Sequence, residues 1–211
     1  MQKKEFSLTD LYCLTSEEHS LGRNNVEVVK EMIEAGVKII QYREKDKSKL
    51  AKYQECKAIR KLTRKHEVIF IVNDDLDLAL LVEADGVHIG QDDLPLEAVR
   101  KLVGNEMLIG VSTHSPEQAQ QAIQGGADYI GVGPIFKTHT KKDVCDPVGF
   151  EYLEYVVKNV LIPFVAIGGI KEHNIGEIVS RGARCIAMVT EIVGAKNIRE
   201  KIISIREKLI K

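Results

Sequence analysis

"EAGVKIIQ" (34–41), "EADGVHIG" (83–90), "GGADYIGV" (125–132) and "RGARCIAM" (181–188) are four versions of one pattern. Each joins the end of an amphipathic stretch to a short apolar run through small residues. They introduce the second, fourth, sixth and eighth such runs along the chain. The complete set is "LYCLT" (11–15), "VKIIQYR" (37–43), "VIFIVN" (68–73), "DGVHIG" (85–90), "MLIGVS" (107–112), "DYIGVG" (128–133), "PFVAIGG" (163–169) and "RCIAMVT" (184–190). These runs are β-branched and apolar at successive positions, as expected of strands covered on both faces. Helical patterns fill the gaps. Ala51, Ala58, Ile59 and Leu62 share one stripe in 49–66, with most of the lysines and arginines opposite. Ile198, Ile202, Ile205 and Leu209 form another stripe at helical spacing. Eight strand–helix alternations in 211 residues predict an α/β chain, a single-domain (β/α)8 TIM barrel spanning residues 1–211. The competing architecture is an open doubly wound sheet. It would call for a GxGxxG after the first strand or a composition shift marking a second domain, and the sequence has neither.

The bulk numbers narrow the function classes. Thirty basic and 31 acidic residues leave a net charge of −1, so no global field draws the chain to nucleic acid or to an anionic membrane. Cys13, Cys56, Cys145 and Cys185 are far apart and form no CxxC pair, which argues against a zinc site or a disulfide framework and suits a reducing cytoplasm. "MQKKEFSLTD" lacks the apolar core of a signal peptide. No apolar stretch reaches the roughly 18 residues that a membrane helix needs. The sequence leaves room for a homo-oligomer without specifying one.

In a barrel of this kind the chemistry sits where strands end and the following loops begin. The strand ends bring Gln41, Arg43 and Lys45; Asn73 and Asp74; His88, Gln91 and Asp93; Ser112 and Thr113; and Gly168, Gly169 and Thr190 toward one mouth. Asp74 and Asp93 follow adjacent strands, and a pair of carboxylates without Cys or His suits a hard cation such as Mg²⁺. The plainer reading is that Asp74 or Asp75 caps the helix "LDLALLVEA". Asp75 can cap while Asp74 binds metal. Gln41, Arg43 and Lys45 are spaced by two, which turns them to one side of an extended segment and suits a phosphate or diphosphate. Lys47, Lys49 and Lys52 read as an ordinary solvated helix start. The glycines of "AIGGIKEHN" and the turn of "MVTEIVGA" suit phosphate binding by backbone N–H groups, or simply a tight turn. The long non-periodic stretch "GPIFKTHTKKDVCDPVG" (133–149) carries Thr138, Thr140 and Lys141, which either close over an anion or face solvent. His88, inside an apolar run, reads as a satisfied core residue or a pocket residue. A Ser112–His114 nucleophile pair is disfavoured, because no nucleophile elbow is present.

In their order, "QYREK", "VNDDLDLAL", "ADGVHIGQDDLP", "GVSTHS", "GADYIGVGPIFKTHTKK" and "AIGGI" resemble the thiamine-phosphate synthase family over nearly the whole chain. The resemblance implies a (β/α)8 barrel. The implied reaction is a Mg²⁺-dependent transfer that joins 4-amino-2-methyl-5-hydroxymethylpyrimidine diphosphate to 4-methyl-5-(2-phosphooxyethyl)thiazole. By position it implies Asp74 and Asp93 as metal ligands. Gln41, Arg43, Lys45, Asn73, His88, Ser112 and Lys141 would lie around the pyrimidine diphosphate, with Arg43, Lys45, Ser112 and Lys141 as the catalytic set. Thr138, Thr140, Gly169, Val189 and Thr190 would hold the thiazole phosphate. Two positions depart from the family's habit. Thr190 stands where Ser is more frequent, and Lys137 where a small residue or Pro is usual. Two alternatives accompany this reading: a thiazole tautomerase of the same superfamily, which has His at the place of Ser112, and a non-catalytic thiazole or thiamine phosphate binder.

Overall fold

The computed structural model describes residues 6, 10–138, 140 and 145–209. The strands are β1 (Leu11–Leu14), β2 (Ile39–Tyr42), β3 (Ile69–Asn73), β4 (Gly86–Ile89), β5 (Leu108–Thr113), β6 (Tyr129–Val132), β7 (Phe164–Ile167) and β8 (Ile186–Met188). Seven lie within one of the eight expected runs, and β5 extends one residue past its run, to Thr113. The intervening helices are α1 (Asn25–Glu34), α2 (Lys49–Lys65), α3 (Leu76–Leu81), α4 (Leu96–Val103), α5 (Pro116–Gln124), α6 (Gly149–Asn159) and α7 (Ile175–Ser180); α8 (Thr190–Val193) and α9 (Ile198–Leu209) follow β8. The strands pair in parallel in chain order, and β1 meets β8 through Tyr12 opposite Ala187, which closes the sheet. The chain is therefore an eight-stranded parallel α/β barrel.

The fourfold echo in the sequence is a helix-ending device. After α1, Gly36 N–H bonds back to the Ile33 carbonyl and Val37 N–H to that of Met32. The same pair of bonds follows α3 at Glu83 and Ala84, α5 at Gly126 and Ala127, and α7 at Gly182 and Ala183. All four turning residues have positive φ, three as glycine and one as Glu83 (φ 52°). A left-handed residue at this position satisfies the last helical carbonyls and aims the chain into the next strand.

Alternation along each strand divides two cores. Ile40, Phe70, Val87, Ile109 and Ile130 face the helices, whereas Tyr12, Ile39, Ile71, Leu108 and Tyr129 fill the barrel. This double burial is why the strands read as continuous apolar runs. Phe6 stacks on Tyr129 inside the barrel, with ring centroids 4.2 Å apart.

Two expectations about helix faces need correction. On α2, Ile59 is buried as expected, but Ala51, Ala58 and Leu62 only flank the buried stripe, which is completed by Lys52, Cys56, Arg60 and Thr63. The charges survive burial because each finds an acid. Arg60 reaches both oxygens of Asp85 at 2.8 and 3.0 Å, and Lys52 lies 2.9 Å from Asp75. Of the three lysines expected to be solvated, Lys52 is buried and Lys47 half-buried, whereas Lys49 stays exposed. Lys47 pairs with Glu17 and Glu55, and Lys49 with Asp75 and Asp77. On α9, Ile198, Ile202 and Ile205 are buried and Leu209 packs at the edge. No helix among the described residues is long and apolar enough to cross a membrane.

Candidate active site

The strand ends surround one cavity of about 600 Å³. On the β2–β5 side its wall is made by Gln41, Arg43, Asn73, His88 and Ser112. On the β6–β8 side it is made by Thr138, Thr140, Gly169, Val189 and Thr190. Ten of the residues singled out from the sequence thus converge on one space.

Arg43 follows the last residue of β2, and its backbone is fixed by Thr15, whose Oγ1 accepts the Arg43 N–H at 2.9 Å. Among the described residues its buried Nε has no hydrogen-bond partner. Burial pulls its pKa below the usual arginine value, against the opposing charge of Asp74. Lys45 departs from the period-two expectation, because β2 ends at Tyr42 and the chain beyond it is no longer extended. Lys45 does not line the cavity; its Nζ lies 2.5 Å from an Asp74 oxygen.

Asp74 and Asp93 also stand outside the cavity wall. Asp74 has φ 59°, a left-handed residue immediately after β3, and its N–H is held by the His88 carbonyl at 2.8 Å. Asp93 turns back to accept the Gly90 N–H at 2.7 Å. The two carboxyl groups act directly on each other. Burial and the Asp74 charge push Asp93 upward, with the Gly90 N–H opposing. For Asp74, burial is outweighed by Lys45 and the interaction with Asp93, which hold it below the usual carboxylate value. Among the described residues no group of three or more His, Cys, Asp or Glu gathers as a metal centre. The carboxylates nearest to such a role are this pair.

Asp75 occupies the cap position of α3, as expected, but its side chain makes no cap hydrogen bond. Both its oxygens are taken by Lys49 and Lys52, which win over backbone N–H groups because they are full charges. Lys141 lies outside the described residues.

On the other side, the loop after β6 is zipped to the end of β7. Ile135 N–H bonds to the Ile167 carbonyl at 2.9 Å and Phe136 N–H to that of Gly168 at 3.0 Å. A side chain at Gly169 would meet the Lys137 carbonyl at 2.6 Å and Phe136 Cβ at 2.7 Å. The glycine therefore serves a close backbone approach as well as lining the cavity. Thr138 and Thr140 hydroxyls are 3.2 Å apart, and Thr190 Oγ1 accepts from Lys171 Nζ at 3.0 Å.

Sequence reasoning missed Tyr12 and Tyr129 in the cavity floor, and Lys171, His173 and Asn174 in its wall. The tyrosines sit in apolar runs and read as core aromatics. Their inward register, set by alternation with Ile130 and Cys13, was the available signal.

The family model described as thiamine monophosphate synthase matches residues 11–192. The chain belongs to the thiamine monophosphate synthase family. Its relatives in that family include the thiamine-phosphate synthase of Pelotomaculum thermopropionicum, 66% identical over 197 residues covering 93% of this chain and 90% of the relative. The thiamine-phosphate synthase of Lawsonia intracellularis is 55% identical over 95% of this chain and 93% of the relative. Among solved structures, thiamine phosphate pyrophosphorylase from Pyrococcus furiosus superposes with a TM-score of 0.86 at 35% identity, covering 95% of each chain. Family membership and a shared barrel accord with the resemblance carried by the sequence motifs.

Proposed function

We propose that this chain is a thiamine-phosphate synthase. It joins 4-amino-2-methyl-5-hydroxymethylpyrimidine diphosphate to 4-methyl-5-(2-phosphooxyethyl)thiazole, giving thiamine phosphate and diphosphate, with the barrel as the single catalytic unit. The observation that carries the reading is Arg43, a guanidinium at the cavity wall whose buried Nε lacks a partner among the described residues. A desolvated cation with an unfilled donor is costly alone and is satisfied by an anionic ligand. Asn73 and Ser112 line the same wall and add neutral donors. His88 and Gln41, deeper on that side, suit the pyrimidine. Thr138, Thr140, Gly169, Val189 and Thr190 suit the thiazole phosphate.

This residue set favours a dissociative substitution. The bond from the pyrimidine methylene to diphosphate breaks, the ring amino group stabilises the resulting cation, and the thiazole nitrogen attacks it. No side-chain nucleophile is required. The difficulty is the charge that develops on the leaving diphosphate, and Arg43, Lys45 and Lys141 are the groups assigned to it. A charge pair at about 4 Å contributes roughly 4 kcal/mol at an effective dielectric near 20.

Asp74 and Asp93 fit a hard divalent cation. They offer oxygen only, come from neighbouring strand ends, and act on each other as like charges when both ionise, a repulsion that a bound cation would relieve. Bound there, Mg²⁺ would supply further neutralisation of the departing diphosphate. The buried thiols of Cys13, Cys56 and Cys185 suit a reducing cytoplasm as the site of action.

The test combines the purified chain, both substrates and Mg²⁺, with thiamine phosphate and diphosphate as the readout. Folded protein that binds phosphate ligands yet yields neither product would sink the reading. In the same assay Arg43→Ala is expected to lower kcat by about 10²–10³-fold, the cost of one donor aimed at developing charge.

A further inference from the structure

Below the proposed substrates lies an uninterrupted hydrogen-bonded chain across the barrel. Gln41 Nε2 on β2 donates to Tyr12 Oη on β1 at 2.9 Å. Tyr12 Oη lies 2.8 Å from Tyr129 Oη on β6, which lies 3.1 Å from His88 Nδ1 on β4. His88 Nε2 lies 2.9 Å from Ser112 Oγ on β5. Both ends, Gln41 and Ser112, line the cavity.

The donor inventory allows the links to run in one direction. Each phenol has a single proton, and burial raises both phenol pKa values so that each keeps it. Tyr12, already accepting from Gln41, gives its proton to Tyr129. Tyr129 gives its own to His88 Nδ1. A neutral imidazole that accepts at Nδ1 carries its hydrogen on Nε2 and donates it to Ser112 Oγ. The Ser112 hydroxyl hydrogen is then left for the cavity. The opposite polarity would turn the Ser112 hydrogen toward His88 and present only lone pairs to a ligand.

The barrel is shaped for this contact. A side chain at Gly110 on β5 would meet Tyr129 Cζ at 2.1 Å and His88 Nδ1 at 2.5 Å. Phe6 stacks against Tyr129 and helps to hold its ring.

We propose that Tyr129 and Tyr12 are positioning residues. Through His88 they fix Ser112 as a hydrogen-bond donor toward the anion held beside Arg43. The catalytic consequence rests on the proposed synthase reaction, whereas the tautomer of His88 does not.

The experiment pairs ¹⁵N NMR of His88 with steady-state kinetics in wild type, Tyr129→Phe and Tyr12→Phe. In the wild type, neutral His88 is expected to carry its proton on Nε2. Tyr129→Phe removes the donor to Nδ1 and is expected to mix the tautomers. It is also expected to lower kcat by about tenfold, with the thiazole phosphate KM unchanged, because the lost donor acts on developing charge. Tyr12→Phe keeps the Tyr129–His88 link but frees its direction, and is expected to give a smaller shift of the same kind. Circular dichroism checks that each variant folds, and the wild-type tautomer stands as a test even if a variant does not. A proton on Nδ1 in the wild type overturns the proposal. So does a folded Tyr129→Phe protein with an unchanged tautomer, or one in which KM alone rises. If the protein makes no thiamine phosphate while the Nε2 tautomer and its loss in Tyr129→Phe are both seen, the synthase reading fails and the chain's polarity stands.

Discussion

The two halves of the barrel mouth are built by different means. Around β2–β4 the wall carries Arg43 among neutral donors, and ion pairs hold it from outside: Arg60 clamps Asp85 just before β4, and Lys52 and Lys49 hold Asp75 just after β3. Around β6–β8 the wall combines threonine, glycine and backbone with Lys171 and His173, and it is held by hydrogen bonds between the loop after β6 and the end of β7. In the proposed reaction the first half faces the group whose charge changes, and the buried Arg43 guanidinium is the cation aimed at it. The second suits a group whose charge stays constant and only has to be located. Electrostatic holding tolerates small displacements, whereas backbone holding depends on close approach.

Substitutions can test this contrast. Asp85→Ala would strand the buried Arg60 guanidinium, which Asp85 meets with both oxygens. The expected cost is about 3–5 kcal/mol, read from the urea midpoint, because a buried charge is left unpaired. A cost under about 1 kcal/mol would mean that water or another acid replaces Asp85 and that the first half is not pinned as described. Gly169→Ala puts a methyl group on the Lys137 carbonyl and Phe136 in a left-handed residue. A loss of about 1–3 kcal/mol is expected, together with a raised KM for thiazole phosphate and an unchanged KM for the pyrimidine diphosphate. Equal effects on both substrates would erase the division between the halves.

The smallest effect is pH-dependent. Burial would raise the pKa of Asp75, but the hydrogen bonds from Lys49 and Lys52 outweigh it and hold the carboxyl below its ordinary value. A depressed folded pKa gives stability that is present above the unfolded value, near 3.9, and is lost as pH falls through the folded value. Asp75→Asn is therefore expected to cost about 1–2 kcal/mol at pH 7, mostly because the nearly buried Lys52 loses its charged partner, while exposed Lys49 is screened and adds little. The difference from wild type should shrink as pH drops below about 4. Parallel urea titrations at pH 7 and pH 3 provide the check, and a gap that widens in acid would reverse the assignment.

The barrel was legible because burial on both strand faces writes continuous apolar runs, and because the helix-ending turn repeats in the residues that make it. Gln41, Arg43, Asn73 and Ser112 were legible because strand ends in such a barrel meet at one mouth. Three features were hidden for physical reasons. Lys52 and Arg60 look solvated in a helix pattern, because their acids, Asp75 and Asp85, are remote in sequence. Lys45 leaves the expected side because the strand stops before it. Tyr12 and Tyr129 carry a polar tip on an apolar body, and only the closed register brings their hydroxyls together.

The backbone at Asp74 sets stability against the metal role proposed for its side chain. A side chain in the left-handed region costs roughly 1–2 kcal/mol, a cost glycine avoids and aspartate feels less than most residues. At φ 59°, the barrel alone would favour glycine at position 74. Selection for robustness alone would drift toward that residue and lose half of the carboxylate pair. Under the proposed metal role of Asp74, this turn is a place where a sturdier protein and a working one are different sequences.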